Sequence, residues 1–177
     1  RGELQVIDIK GSLASSSPLL DSDSELEKKE NLSEFRGGLA KTFVPGRNAL
    51  FLTLAANLAY ANEAKHIVTG VCETDYAGYY DCRKAFIDSI QKSLNQALFA
   101  KDTGLEIQTP LMKLSKAQSV ELATKLEGCM EALAYSHTCY DGVFPPCGKC
   151  HSCHLRARGF EEAGVLDPLI ARAREIA

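Results

Sequence analysis

The chain has 177 residues, 45% of them hydrophobic and 24% charged, which is enough for one sizeable buried core, so a single α/β domain spanning 1–177 is expected. A net charge of −3 gives no global attraction to nucleic acid or to an anionic membrane, and no direct nucleic-acid partner is expected. The longest apolar run, residues 49–61, is broken by Thr53 and Asn57 and is too short to cross a bilayer, and no charged leader precedes an apolar block, so a cytoplasmic location is expected.

In chain order, LQVIDI (4–9) mixes β-branched and apolar residues over strand length and ends at Lys10-Gly11, which predicts a buried strand. From 12 to 40 the composition turns to Ser, Asp, Glu and Lys, with Pro18 and Gly37-Gly38. That pattern predicts a long mobile connection, either a plain linker or a lid. Asn48 suits the N-cap of a helix running to about Asn62, whose apolar residues cover more than one face and predict packing on several sides. HIVTGV (66–71) predicts a central strand, and 81–101 an amphipathic helix with Phe86, Ile90, Leu94, Ala97 and Leu98 on its apolar side.

LEIQTPLM (105–112) predicts a third strand, closed by Pro110. Ser115 and Gln118 have capping-box spacing, predicting a helix over 116–127 that ends at Gly128. A short helix over 153–162 and a last one from Asp167-Pro168 complete the chain. Strands alternating with helices predict a parallel sheet covered by helices, in which ligands bind beyond the carboxyl ends of the strands.

Four of the seven cysteines fall within fifteen residues, CYDGVFPPCGKCHSC (139–153). Clustered thiols in a reducing compartment point to a metal or to chemistry rather than to disulfides. Cys139, Cys147, Cys150 and Cys153 can close a tetrahedron around one zinc at about 2.3 Å, with Gly142 and Gly148 supplying the turns. No coordination position is then left open, so the metal would be structural and would pin the segment 135–158. An iron–sulfur cluster and four free thiols are the competing readings, and His137, His151 or His154 could replace one thiolate. Cys72, Cys82 and Cys129 are dispersed and read as packing residues.

Two polar stretches stand out beside the thiols. Arg47, in PGRN, precedes a helix N-terminus, where unpaired N–H groups and the helix dipole favour an anion. In CETDYAGYYDCR (72–83), Glu73, Asp75 and Asp81 could hold magnesium or bond the N–H edge of a heterocycle. Tyr76 and Tyr79 could stack on such a ring, and Arg83 could pair with a carboxylate. Alternatively, these acids serve the N-terminus of the next helix. Lys116, in the first turn of its helix, opposes the dipole unless an anion lies nearby. Lys149, Arg156 and Arg158 make only a small basic patch.

TFVPGRNALFLTLAANLA, GVCETDYAGYYDCR, TPLMKLSKAQ, TCYDG, CGKCHSCHLRARGF and AGVLDP, in this order, resemble the 7-cyano-7-deazaguanine synthases, enzymes of queuosine precursor synthesis. The resemblance runs from about Thr42 to Pro168. It implies a Rossmann-like ATP-pyrophosphatase fold, a homodimer, and a structural zinc on Cys139, Cys147, Cys150 and Cys153. The implied reaction converts 7-carboxy-7-deazaguanine and ammonia to the nitrile with ATP and magnesium. By motif position, Arg47 and Lys116 would face phosphates, and Glu73, Asp75, Tyr79, Asp81 and Arg83 would shape the deazaguanine pocket. No protein nucleophile is required, and no catalytic residue is assigned.

The sequence also departs from the family. The opening Ser-Gly-Gly-x-Asp-Ser loop that holds ATP phosphates has no counterpart, FRGGLA (35–40) is no substitute, and LQVIDI resembles a later strand. With Arg1 in place of methionine, a chain that starts after the ATP loop is expected. Gln118 stands where the family has glutamate, and Asp141 where asparagine is common.

Overall fold

The computed structural model describes residues 4–15, 17–20, 42–73, 79–99 and 104–176. Most of the connection expected over 12–40 lies outside them, as do Asp75 and Tyr76. The described elements run α1 (Arg47–Ala61), β1 (His66–Val68), a 3-10 turn (Tyr80–Cys82), α2 (Lys84–Leu98), β2 (Glu106–Gln108), α3 (Lys116–Ala123), α4 (Cys129–Leu133), α5 (His151–Glu162) and α6 (Pro168–Ile176).

β1 and β2 pair in parallel with His66 opposite Glu106, Ile67 opposite Ile107 and Val68 opposite Gln108. α2 provides the crossover that parallel strands need. One core cluster joins Leu52, Ala56 and Ala59 of α1 to Ile87 and Leu94 of α2, with Leu105, Ile107 and Met112 from the second strand and its flanks. Ile67 packs on the same cluster, whereas Val68 stays 66% exposed. α1 and α2 therefore cover the face of the sheet that carries the two isoleucines.

Several local expectations are corrected. Residues 4–9 form no strand among the described residues, and Leu4 and Val6 are 87% and 85% exposed. Their β-branched sequence has no described partner to pair with, and propensity alone does not make a sheet. The segment 66–71 gives only a three-residue strand. α1 fully buries Leu52, Ala56 and Ala59, while Phe51 is exposed and the half-exposed Tyr60 meets the Phe99 ring edge-on at 5.6 Å.

Asn48 does not cap α1. The N-cap is Gly46, at φ 73°, and the α1 backbone is satisfied from a distance: the Asn48 N–H donates to Asp81 Oδ2 at 3.1 Å. The Asn48 side chain donates to the Asp81 carbonyl at 3.0 Å and to Cys82 Sγ at 3.3 Å. α2 begins at Lys84 rather than at Asp81 because Tyr80–Cys82 forms a separate 3-10 turn and Arg83 is extended.

The capping box at α3 is complete: Ser115 Oγ accepts from the Gln118 N–H at 3.1 Å, and Gln118 Oε1 accepts from the Ser115 N–H at 2.9 Å. Gln118 fills this role as glutamate would. α3 ends at Ala123, and the left-handed Gly128, at φ 72°, starts the short α4, which sequence periodicity did not reveal. α5 begins two residues earlier than expected, at His151, inside the cysteine cluster.

Candidate functional site

The four clustered thiols come together at the head of α5. Their Sγ atoms all lie within 4.8 Å of one another, and Cys147 Sγ is 3.9 Å from Cys153 Sγ. A tetrahedral zinc–thiolate site with bonds of about 2.3 Å has sulfur–sulfur edges of about 3.8 Å, so the cluster is compact enough for a single ion. Backbone N–H groups turn toward the sulfurs: Cys147 donates to Cys139 Sγ at 3.4 Å, and Lys149 and Cys150 donate to Cys147 Sγ at 3.4 and 3.3 Å. Such loops need left-handed residues, and Gly142 and Gly148 take φ of 66° and 67°.

Burial raises the Cys139 thiol, but hydrogen bonds from Cys147 and Asp141 outweigh it and bring its pKa to about 7. Burial, with Cys150 alongside, pushes the Cys153 thiol well above its ordinary range. Four adjacent thiolates repel one another unless a cation neutralises them, so this donor set fits a metal ion. Histidine is not a member: His137 Nε2 donates instead to the Val143 carbonyl at 2.8 Å.

Beside the cluster lies a cavity of about 740 Å³. Val68 at the end of β1, Thr69 and Gly70 just after it, and Pro110 and Leu111 after β2 line it, so it lies at the carboxyl ends of both strands. Glu73, Tyr79 and Arg83 from the stretch 72–83 line it together with Lys116. Thr138 and Tyr140 from the cysteine segment and His151 and Ser152 from the start of α5 form another wall. Arg47 and Asp81 are not among the lining residues, and Asp75 lies outside the described ones.

Each side chain has an observable task. Glu73 Oε1 accepts from the Lys84 N–H at 2.6 Å, at the start of α2, where no local side chain caps the helix. Asp81, buried, serves α1 as described above. The reading in which these acids serve the next helix thus describes Glu73, which also faces the cavity, whereas Asp81 serves the preceding helix, α1. Arg83 lies over the Tyr80 ring at 4.5 Å, and Tyr79 stacks on Phe43 at 5.6 Å. Tyr79 Oη and Thr42 Oγ1 are 2.7 Å apart. Burial, with Tyr79 beside it, pushes the Tyr140 phenol well up.

Lys116 sits where α3 meets α5. A Cβ on Gly159 would stand 2.7 Å from Lys116 Cβ, so only glycine allows this approach. Cys72, Cys82 and Cys129, first read as packing residues, all line the cavity. Burial and then Asp81 push the Cys82 thiol to about 11, while the Arg47 charge acts in the opposite direction.

The basic patch of Lys149, Arg156 and Arg158 is small, as expected, and two of its charges are paired. Arg156, largely covered, pairs with the buried Asp167, and Arg158 pairs with Glu162 at 2.6 Å. Arg156 also lines the cavity, a place that LRARGF did not disclose, because an arginine in a helix reads first as solvated. No helix among the described residues is long and apolar enough to cross a membrane.

Residues 3–164 match the sequence model of the queuosine biosynthesis protein QueC. The chain is 48% identical over 159 residues to a 7-cyano-7-deazaguanine synthase of Gloeobacter violaceus, covering 89% of this chain and 68% of that protein. A synthase of the same name from Chromobacterium violaceum is 54% identical over 136 residues, covering 77% and 56%, and one from Bacillus subtilis is 44% identical over 149 residues, covering 84% and 64%. The chain thus spans between 56% and 68% of the length of these relatives. With an α/β architecture, a parallel strand pair and a four-cysteine cluster in the matched region, it belongs to the QueC family of queuosine biosynthesis proteins.

Proposed function

We propose that this chain carries the substrate cavity and metal knuckle of a carbon–nitrogen ligase that makes 7-cyano-7-deazaguanine from 7-carboxy-7-deazaguanine, ammonia and ATP. The observation that carries this reading is the cavity past the strand ends, where Glu73, Tyr79, Arg83 and Lys116 converge in a chain about half identical to proteins bearing the synthase name. An ATP-pyrophosphatase arrangement of the sheet, binding of ATP as its magnesium complex, a homodimeric state and a cytoplasmic location belong to the same proposal.

The chemistry needs a leaving group twice. The carboxylate attacks the α-phosphorus of ATP and expels pyrophosphate, ammonia displaces AMP to give the amide, the amide oxygen is adenylated in turn, and loss of a proton and AMP leaves the nitrile. Each step moves charge onto phosphate or carboxylate oxygens, so positioned cations and exclusion of water supply the catalysis. In this proposal Arg83 pairs with the substrate carboxylate, Lys116 faces phosphate, and Tyr79 and Glu73 flank the heterocycle. Arg47 at the head of α1 serves phosphate from outside the cavity lining, Asp75 is a further pocket residue, and Asp81 acts by holding the start of α1. The enclosing walls keep acyl adenylates from hydrolysis.

The metal is proposed to be one structural zinc on Cys139, Cys147, Cys150 and Cys153. An all-thiolate set drawn this tightly suits a single tetrahedral ion better than a multi-iron cluster, which must spread its thiolates around bridging sulfide. Zinc would hold the cysteine segment against the cavity and take no part in bond making.

The test is AMP release with ATP, magnesium, ammonia and 7-carboxy-7-deazaguanine, omitting each in turn. AMP that requires the deazaguanine acid and ammonia is expected of the assembled synthase. Failure of this chain to bind the acid, or AMP release indifferent to it, overturns the reading.

A further inference from the structure

We infer that Tyr80 is a positioning residue that holds the Arg83 guanidinium at the cavity wall with its N–H donors left open for an incoming carboxylate. That this carboxylate belongs to 7-carboxy-7-deazaguanine rests on the proposed function, whereas the holding contact rests on geometry. Arg83 lines the cavity and Tyr80 does not, so the ring supports the guanidinium from outside, with Arg83 Cζ 4.5 Å from the ring centroid. The local fold explains the pairing. Tyr80 opens the 3-10 turn Tyr80–Cys82, and its carbonyl accepts from the Arg83 N–H at 3.4 Å. Residues three apart in such a turn eclipse one another, which sets the ring beside the arginine.

The ring has supports of its own. Phe43 meets it edge-on at 6.4 Å, and the turn is fastened to α1 through the buried Asp81, whose carboxylate and carbonyl both accept from Asn48. A ring face attracts a cation without offering the pair of oxygens that a carboxylate offers, so the N–H fork of Arg83 is not spent on Tyr80. Among the described residues no acid pairs with Arg83, and Glu73, which lines the same cavity, accepts from the Lys84 N–H instead. Arg156, the other arginine of the lining, has its donors committed to Asp167, Ser136 and Leu133. An arginine already paired with a protein acid must give up that pair to take a substrate acid, whereas one held by a ring keeps its place and accepts the substrate directly.

The test compares Tyr80→Phe, which keeps the ring face, with Tyr80→Leu, which keeps an apolar side chain and removes it. Protons over a ring face resonate upfield, so the Arg83 side-chain NMR signals of the ligand-free chain should be shifted upfield in wild type and Tyr80→Phe and return to ordinary values in Tyr80→Leu. Titration with 7-carboxy-7-deazaguanine should then give a Kd about two- to fivefold weaker in Tyr80→Leu, the worth of a cation–π contact at an exposed site, and an unchanged one in Tyr80→Phe. 7-Deazaguanine, which lacks the carboxylate, should bind all three alike, so a general distortion of the cavity is told apart from loss of the arginine's placement. Arg83 signals that are the same in all three chains overturn the inference. So does a Tyr80→Leu variant that binds the acid as wild type does, or that weakens both ligands equally. An acid that never binds the wild-type chain sinks the substrate reading, while the Arg83 signals still decide whether Tyr80 holds the guanidinium.

Discussion

Arg156 and Asp167 meet as a two-pronged pair, with Nε donating to Oδ2 at 2.6 Å and Nη2 to Oδ1 at 2.8 Å, both side chains about 10% exposed. The remaining guanidinium donors reach the Leu133 carbonyl and both oxygens of Ser136, and Asp167 Oδ1 also accepts from the Leu169 N–H at the start of α6. One ion pair therefore ties α5, α6 and the chain entering the cysteine segment. Asp167→Ala should cost about 3–5 kcal/mol in urea unfolding, because it leaves a buried guanidinium without its counter-ion. Arg156→Lys should also destabilise, since an ammonium cannot fork. A loss below about 1 kcal/mol in Asp167→Ala would show the pair behaving as a solvated surface bridge.

Gly159 lets α5 approach α3 at Lys116. Alanine is the better helix former by about 1 kcal/mol, but its Cβ would meet Lys116 Cβ at 2.7 Å with the Lys116 carbonyl carbon at 3.4 Å behind it. A Cβ cannot swing aside as a side-chain tip can, so overpacking at about 1–3 kcal/mol wins. Gly159→Ala should lower stability and displace Lys116 from the cavity, weakening ATP-dependent AMP release more than binding of the deazaguanine acid. Full stability together with normal AMP release would contradict the close approach.

What was legible in the sequence follows from how local each signal is. The capping box at Ser115, the α6 start at Pro168 and the thiol spacing are encoded within a few residues, and each is present in the structure. The Asn48 cap misled because the competing acceptor, Asp81, lies 33 residues away and only folding brings it near. LQVIDI misled because a strand requires a neighbour as well as a composition. Glu73, Tyr79, Arg83 and Lys116, singled out by type and motif, all line the cavity, but the hydroxyl pair of Thr42 and Tyr79 had no signal, since two hydroxyls far apart in the chain carry no spacing pattern. Arg156 was hidden in the same way by its distant partner.

Cys82 gives a pH prediction. Burial first, and the Asp81 charge second, raise its thiol from 9.0 to about 11, so the folded chain holds the proton more tightly than the unfolded one. The contribution to stability is complete below pH 9.0 and is lost as pH rises toward 11. At pH 8 roughly one molecule in a thousand carries the thiolate, so iodoacetamide should label Cys82 about a hundredfold more slowly in the folded chain than in urea. Asp81→Asn should speed that labelling by removing the second cause. Equal rates in folded and unfolded chain, followed by mass spectrometry, would refute the shift.

Removal of the metal should unfold the knuckle before it touches the helical core. Cys150 is the most deeply buried of the four thiols, and the N–H groups of Tyr140, Cys147, Lys149 and Cys150 all donate to cluster sulfurs. Their protection therefore depends on sulfurs fixed in place, whereas Leu52 and Ile87 are held by apolar packing that involves no metal. A colourless protein with about one zinc per chain is expected, and chelation should expose the amides of 139–150 while those of α1 and α2 stay protected. Because protons compete for thiolates, acidification should release the zinc to a chromophoric chelator in a single step, and Cys150→Ser should release it at a higher pH than the wild type. Iron with visible colour, or simultaneous loss of protection in the knuckle and in α1, would rule out a zinc staple confined to this segment.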